Sequence, residues 1–288
     1  AADKSQYQYD VSTGVSAGAL NTAAVSLFAP GDEDNMLDFL SNNWQGIDND
    51  SVFKMWEPLG LVTGVTSKSG VLDDSPLFEF ITQVYEDHDY EIKRKIAVSC
   101  VDVNTGDYVV FDETEPEIVK AVVSSASIPF AFPNQQWPDK KVVCMDGGTV
   151  WNTNLVSAVE RCREQVDSDD QITLDIVTCG TPHLAKWEDK DKALANYLRY
   201  MQIKSYNNGL DDVNEFIQAY PEVNFRHYVT PSESLGSGLA ILNFDNATST
   251  YPMQMVGRKD GENAVKQEEG LVFNKMREYN ESPDLQAQ

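Results

Sequence analysis

Val11-Ser12-Thr13-Gly14-Val15-Ser16-Ala17-Gly18-Ala19-Leu20-Asn21 is the stretch that decides the fold. Residues 9–13 form a short β-prone run. Gly14-Val15-Ser16-Ala17-Gly18 reads as a turn, and residues 17–28 have helical spacing closed by Pro30-Gly31. A strand that enters a Gly-x-Ser-x-Gly turn and leaves it as a helix is the setting of a nucleophile elbow. Such a turn holds its serine in strained backbone, beside the unsatisfied N–H groups that open the helix. A purely structural Gly-Ser turn is the competing reading of these five residues. The flanking strand and helix weigh against it.

Outward from this turn, strand-like and helix-like runs alternate. Residues 36–44 read as a helix, and residues 31–50 hold six acids and no Lys or Arg, as a solvated acidic face does. Residues 51–72 look irregular, with Val52, Phe53, Met55, Trp56, Leu59, Leu61 and Val62 among Gly and Pro. Asp74-Ser75-Pro76 starts a helix to residue 85 with Leu77, Phe78, Ile81 and Val84 on one face. Residues 95–103 and 107–112 flank Asn104-Thr105-Gly106 as a hairpin. A helix over 117–125 stops before Ile128-Pro129, and a strand over 141–145 runs into Asp146-Gly147-Gly148. Beyond it lie a helix over 155–166, a strand over 172–179 and a helical stretch over 189–219 broken near Asn207-Asn208-Gly209. A strand over 223–229 and a final helix over 262–279 follow. This alternation predicts an α/β domain with a mostly parallel central sheet. With no repeat and no Gly-, Ser- or Pro-rich linker, residues 1–278 read as one domain and 279–288 as a polar tail.

The 288 residues include 22 Lys and Arg against 46 Asp and Glu, so the formal charge is 22 − 46 = −24. That excess argues against a nucleic-acid partner, which needs a basic footprint, and weakens electrostatic docking on anionic lipid. No apolar run reaches the roughly 18 residues of a membrane span. Cys100, Cys144, Cys162 and Cys179 lack metal-ligand or redox spacing and read as buried free thiols. Asn246-Ala247-Thr248 and Asn280-Glu281-Ser282 fit the glycosylation sequon, which favours an endomembrane lumen or secretion over the cytoplasm.

A serine hydroxyl needs a base to become a nucleophile. His88 lies in a polar segment and reads as solvated; His227 lies in a strand and reads as packed. His183 follows Cys179-Gly180-Thr181-Pro182, just past a strand end, where sites in α/β sheets gather. Asp146, before Gly147-Gly148, stands at another strand end. An Asp-Gly turn explains it alone, but beside the elbow it is a candidate base. Both Asp146 and His183 stay open at this point.

Three blocks carry a resemblance: Gly14 to Asn21; Ser124-Ser125-Ala126-Ser127-Ile128-Pro129-Phe130-Ala131-Phe132-Pro133; and Asp146-Gly147-Gly148 with Asn152. Together they resemble the patatin-like phospholipases, which are lipid acyl hydrolases, from about residue 9 to residue 271. The resemblance implies a three-layer α/β/α fold and a Ser16–Asp146 dyad acting through an acyl-enzyme. Val15, Ala17 and Gly18 would complete the elbow backbone. Lipid or phospholipid esters would be the substrates, met at a transient lipid surface. It implies no cofactor and no metal. Ile128, Phe130 and Phe132 become candidates for an acyl pocket, and residues 52–62 for a cap.

Family members carry a glycine-rich oxyanion loop after their first strand. The 13 residues before Gly14 contain no glycine, so that strand and loop are expected to lie outside this chain, with an upstream segment completing the sheet. The alternative in another class is a non-catalytic module that keeps the fold for binding or assembly.

Overall fold

The computed structural model describes residues 4–180, 184, 186–187, 193–235 and 242–281. These fall into two compact units: Asp3–Cys162 with Phe244–Asn246, and Arg163–Asn243 with Ala247–Gln288, residues 1 and 2 aside.

The first unit runs β1 (Val11–Gly14), α1 (Ala17–Ser26), α2 (Glu33–Gly46), α3 (Asn49–Val52), α4 (Leu61–Ser67), α5 (Ser75–Glu86), β2 (Lys95–Asp102), β3 (Tyr108–Asp112), α6 (Ile118–Ser125), β4 (Gln135–Trp137), β5 (Val142–Asp146) and α7 (Leu155–Arg163). The expected alternation of strands and helices is therefore present, and residues 51–72 hold the end of α3 and the short α4 within otherwise irregular chain. β2 is the central strand. Its continuous run of small and apolar residues is buried from Ile96 onward, as a strand covered on both faces must be.

The register of β2 determines where the other strands end. Ala97 pairs with both Thr13 of β1 and Asp112 of β3, so β1 and β3 take opposite edges. Cys100 pairs with both Val109 of β3 and Asp146 of β5, so β5 shares the edge taken by β1. β1 runs parallel to β2 and ends with Gly14 at Val98. β5 runs antiparallel and ends with Asp146 at Cys100. The carboxyl ends of both strands thus meet head to head, two β2 residues apart, about 7 Å along the strand. The sheet is mixed: β1–β2 is parallel, as expected, whereas β2–β3, β2–β5 and β4–β5 are antiparallel. The β2–β3 pair arises from the Asn104-Thr105-Gly106 hairpin and the β4–β5 pair from the short return between those strands.

α1 and α6 pack on this sheet. Ala19 and Ala23, four residues apart, are fully buried on α1 and let the helix lie close to the strands. Past the far end of α1, the buried Arg94 guanidinium gathers the loose carbonyls. It donates to Phe28 O (Nε, 2.6 Å), Tyr9 O (Nη1, 2.5 Å) and Ala29 O (Nη2, 3.0 Å), and pairs with Glu33 at 2.9 Å. One planar fork thereby fixes α1 against the start of β1 and β2.

The sequence expectations for the cysteines and for His88 are overturned. Cys100 and Cys144 are not free thiols: they form a disulfide between β2 and β5, their Cα atoms 5.5 Å apart. Cys162 and Cys179 are free, and Cys179 is exposed rather than buried. His88 is not solvated. It packs edge-on against Phe28 and Phe39, and its Nδ1 lies 2.9 Å from Val84 O.

The second unit holds β6 (Thr173–Val177), α8 (Ala193–Ala219), β7 (Asn224–Val229), α9 (Tyr251–Lys266) and α10 (Leu271–Glu281). β6 and β7 pair in parallel. The buried Arg226 forms an ion pair with Asp175, and Asp175 also accepts from His227 N–H at 3.0 Å. α8 runs unbroken through Asn207-Asn208-Gly209, against expectation. The last helical stretch is two helices, parted at Gly270 with φ +75°. His183 and most of the polar tail lie outside the described residues.

Arg94→Met should destabilise the protein by about 3 kcal/mol, because Glu33 and the carbonyls past α1 lose their buried donor. Urea unfolding measures it. A loss below about 1 kcal/mol would show that the clamp does not hold α1.

Candidate active site

β1 delivers Ser16 to the tip of the turn. Its backbone sits at φ 56°, ψ −123°, a region L-residues rarely adopt and whose cost is of order 1–3 kcal/mol. The turn is forced by contact. A Cβ on Gly14 would stand 2.1 Å from Gly18 O and 2.6 Å from the Thr22 hydroxyl oxygen, so only glycine fits. The two glycines are not equivalent, because a Cβ on Gly18 would meet open space. Gly18 N–H donates to Val15 O at 2.8 Å and closes the turn. Ser16 is half-buried and Ala17 exposed, so the tip is reachable from solvent. The Ala17 N–H is the first amide of α1, with no preceding helical turn to accept from it. It is placed where an oxyanion donor stands in an elbow.

β5 delivers Asp146 from the other side. The carboxylate is buried, and Gly148 N–H donates to its Oδ1 at 2.7 Å. Burial pushes its pKa up to about 6; hydrogen bonds from the Ser16 hydroxyl and from Gly148 N–H pull the other way. The Ser16 hydroxyl is thus close enough to the Asp146 carboxylate to favour its ionised form. Gly147 and Gly148 let the chain turn away at this point. A Cβ on Gly147 would lie 2.5 Å from Ser99 O, and one on Gly148 2.2 Å from Asn152 Oδ1.

A third segment ties the two halves together. Ser125, the last residue of α6, accepts from Ser16 N–H through its Oγ at 3.0 Å. Two residues on, Ser127 O accepts from Asp146 N–H at 3.0 Å. Ser124 is held in turn by Trp137, whose Nε1–H donates to its Oγ at 3.0 Å. Sequence reasoning recognised Ser124-Ser125-Ala126-Ser127 only as a distinctive block and gave it no role. Its roles are now visible: the Ser125 hydroxyl meets the Ser16 amide and the Ser127 carbonyl meets the Asp146 amide, and their small, fully buried side chains allow the close range. Behind Gly147, Ser99 Oγ donates to Tyr108 Oη at 2.5 Å, and Asn154 Nδ2 to Ser99 Oγ at 3.3 Å.

The other candidates part company. Phe132 is buried and tilts against Phe53. Ile128 is half-buried, and Phe130, at φ 73°, is 53% exposed. His183 lies outside the described residues. The assembled arrangement is a reachable hydroxyl beside a buried carboxylate whose pKa is lifted toward neutrality. A free helix amide lies one residue on. That chemistry suits attack on a carbonyl.

Comparison with known families finds that the model of the patatin-like phospholipase family matches residues 3–159, more than half of the chain. The matched span contains β1, β2, β5 and α6. A comparison with curated proteins finds none that matches the chain.

The asymmetry of the glycines is testable by thermal or urea unfolding. Gly14→Ala should cost more than about 3 kcal/mol or abolish folding, since its Cβ meets backbone. Gly18→Ala should change stability by less than about 1 kcal/mol. Equal effects would contradict this geometry. Ser125→Ala should lower stability by about 1 kcal/mol and, if it loosens Ser16, reduce any turnover that depends on it.

Proposed function

The chain belongs to the patatin-like phospholipase family, and from that premise we propose that it is a lipid acyl hydrolase acting through Ser16 and Asp146. The single observation that carries the reading is the convergence of the Ser16 elbow and the buried Asp146, whose strand ends meet on one edge of β2 and whose amides are both held by the Ser125–Ser127 segment. In this mechanism Asp146 takes the Ser16 proton as Oγ attacks the ester carbonyl. The resulting oxyanion is met by the Ala17 N–H. Collapse expels the alcohol, which leaves with the proton from Asp146, and the acyl group stays on Ser16. Water then attacks the acyl-enzyme, again giving its proton to Asp146, and the acid departs with Ser16 restored. For a phospholipid the alcohol is the lysophospholipid.

An aspartate at its ordinary pKa near ~4 is too weak a base at neutral pH. Burial corrects this, so that the group is ionised above about 6 yet basic enough to accept a proton. His183 is not required as a second base.

Turnover of a short acyl ester should rise with pH through an apparent pKa of about 6, because only ionised Asp146 accepts the proton. A flat profile between pH 5 and 8 contradicts the assignment. Ser16→Ala and Asp146→Asn should each reduce turnover at least about a hundredfold, and His183→Ala less than about tenfold. A His183 effect as large as that of Ser16 replaces the dyad with a triad. A folded wild type that turns over no ester or lipid favours a non-catalytic module.

Stability supplies an independent reading. The raised native pKa means that protonated Asp146 is the form the fold prefers. Its stabilisation is full below about pH 4 and is lost as pH rises through about 6. Asp74, buried and accepting from Gln135 at 2.8 Å, is also pushed up to about 6 and titrates in the same window. The difference between wild type and Asp146→Asn isolates Asp146. The variant should be more stable than wild type by about 1–3 kcal/mol at pH 8, with little difference at pH 4.

A further inference from the structure

α4 presents its side chains in the reverse of the usual sense. The residue it turns inward is Gly64, where a Cβ would stand 2.6 Å from Val71 O. Leu61, Val62 and Val65 face solvent, each more than half exposed. Met55 and Leu59, just before the helix, are equally exposed, and so is Phe130 from the loop after α6. That loop is joined to the same surface by backbone: Val71 N–H donates to Phe130 O and Leu72 N–H to Ala131 O, both at 2.9 Å. Six large apolar side chains thus converge on one side of the first unit. An apolar cluster of this kind marks a contact surface rather than ordinary scatter.

The charge around it differs from that of the rest of the chain. Residues 52–72 carry Lys54, Lys68 and a single acid, Glu57, in a protein of net charge −24, and the half-exposed Lys54 is paired loosely with Asp73 at 3.8 Å. Lys68 Nζ lies 4.5 Å over the Trp56 ring, and Trp56 is anchored by its Nε1–H to Gly70 O at 3.1 Å. Aliphatic tips, an indole with its N–H bonded, and lysines at the margin form the set that sits at a boundary between hydrocarbon and head groups.

We propose that this face docks on a zwitterionic phospholipid layer. Aliphatic side chains of α4 and its approach, with Phe130, enter the head-group boundary, and Lys54 and Lys68 meet lipid phosphates. The overall negative charge sets the choice of lipid, since an anionic layer repels the body of the protein within a Debye length of about 10 Å. The docked face is joined by backbone to the loop that follows α6, the segment in which Ser125 and Ser127 hold the Ser16 and Asp146 amides. The choice of a lipid occupant rests on the acyl hydrolase reading; the docking itself does not need turnover.

The test is flotation of Ser16→Ala protein with phosphatidylcholine vesicles, in which no ester is consumed. The protein should float with the vesicles. Leu61→Asp with Val65→Asp should lower the bound fraction at least about tenfold. Leu37→Asp with Val110→Asp adds the same charge at exposed positions of α2 and β3 and should change it less than about twofold. Replacing about a third of the lipid by phosphatidylserine at low salt should weaken binding. No flotation, or equal loss in both double variants, overturns the proposal. A lipid-free dimer that the α4 variant splits, with no vesicle binding, overturns it in favour of a self-interface. Vesicle binding through α4 by a protein whose wild type hydrolyses no ester leaves this surface standing and removes the hydrolase reading.

Discussion

The edge of β2 is the constraint on which the rest depends. β1 and β5 occupy that one edge in succession, with their carboxyl ends facing across two residues. A strand edge offers backbone partners at fixed intervals, so this register leaves no freedom in where the chain must turn away. β1 turns through Gly14, and β5 turns through Gly147 and Gly148. The serine just past one strand end and the aspartate that finishes the other are left facing each other.

Two unfavourable states are held in place by this arrangement. Ser16 keeps strained backbone, and Asp146 keeps a carboxylate away from water. Neither would persist in a loose loop. The surroundings that maintain them are specific. Ser125 satisfies the Ser16 amide, Ser127 the Asp146 amide, and Arg94 fixes the far end of α1. The strain and the raised pKa are the same features that give the hydroxyl reach and the carboxylate basicity. Stability and chemistry therefore pull in opposite directions at Asp146.

What was legible in the sequence was local. The elbow, the hairpin at Asn104-Thr105-Gly106 and the Pro76-led helix each follow from residues a few positions apart. Asp146 was legible as a partner only through the combination of three blocks. The shared edge of β2 was not, since it depends on pairing between residues far apart in the chain. For the same reason the Cys100–Cys144 bond was missed: the two are 44 residues apart and meet only in that register. Local signals also misled. Asn207-Asn208-Gly209 reads as a break, yet α8 continues through it, whereas the break at Gly270 depends on a positive φ that composition does not announce. His88 looked solvated because its chain neighbours are acidic, and Phe28 and Phe39 reach it from other elements. The outward face of α4 was visible only as an apolar run. Its direction is decided by the close contact at Gly64.

Covalent labelling of Ser16 by a fluorophosphonate tests the central claim most directly, because it asks whether this hydroxyl is activated by the carboxylate beside it. Peptide mass spectrometry of the labelled protein should find one adduct, on the peptide containing Ser16, formed in wild type and not in folded Asp146→Asn. An unlabelled Ser16 in folded wild type, or labelling that survives in Asp146→Asn, would contradict the account.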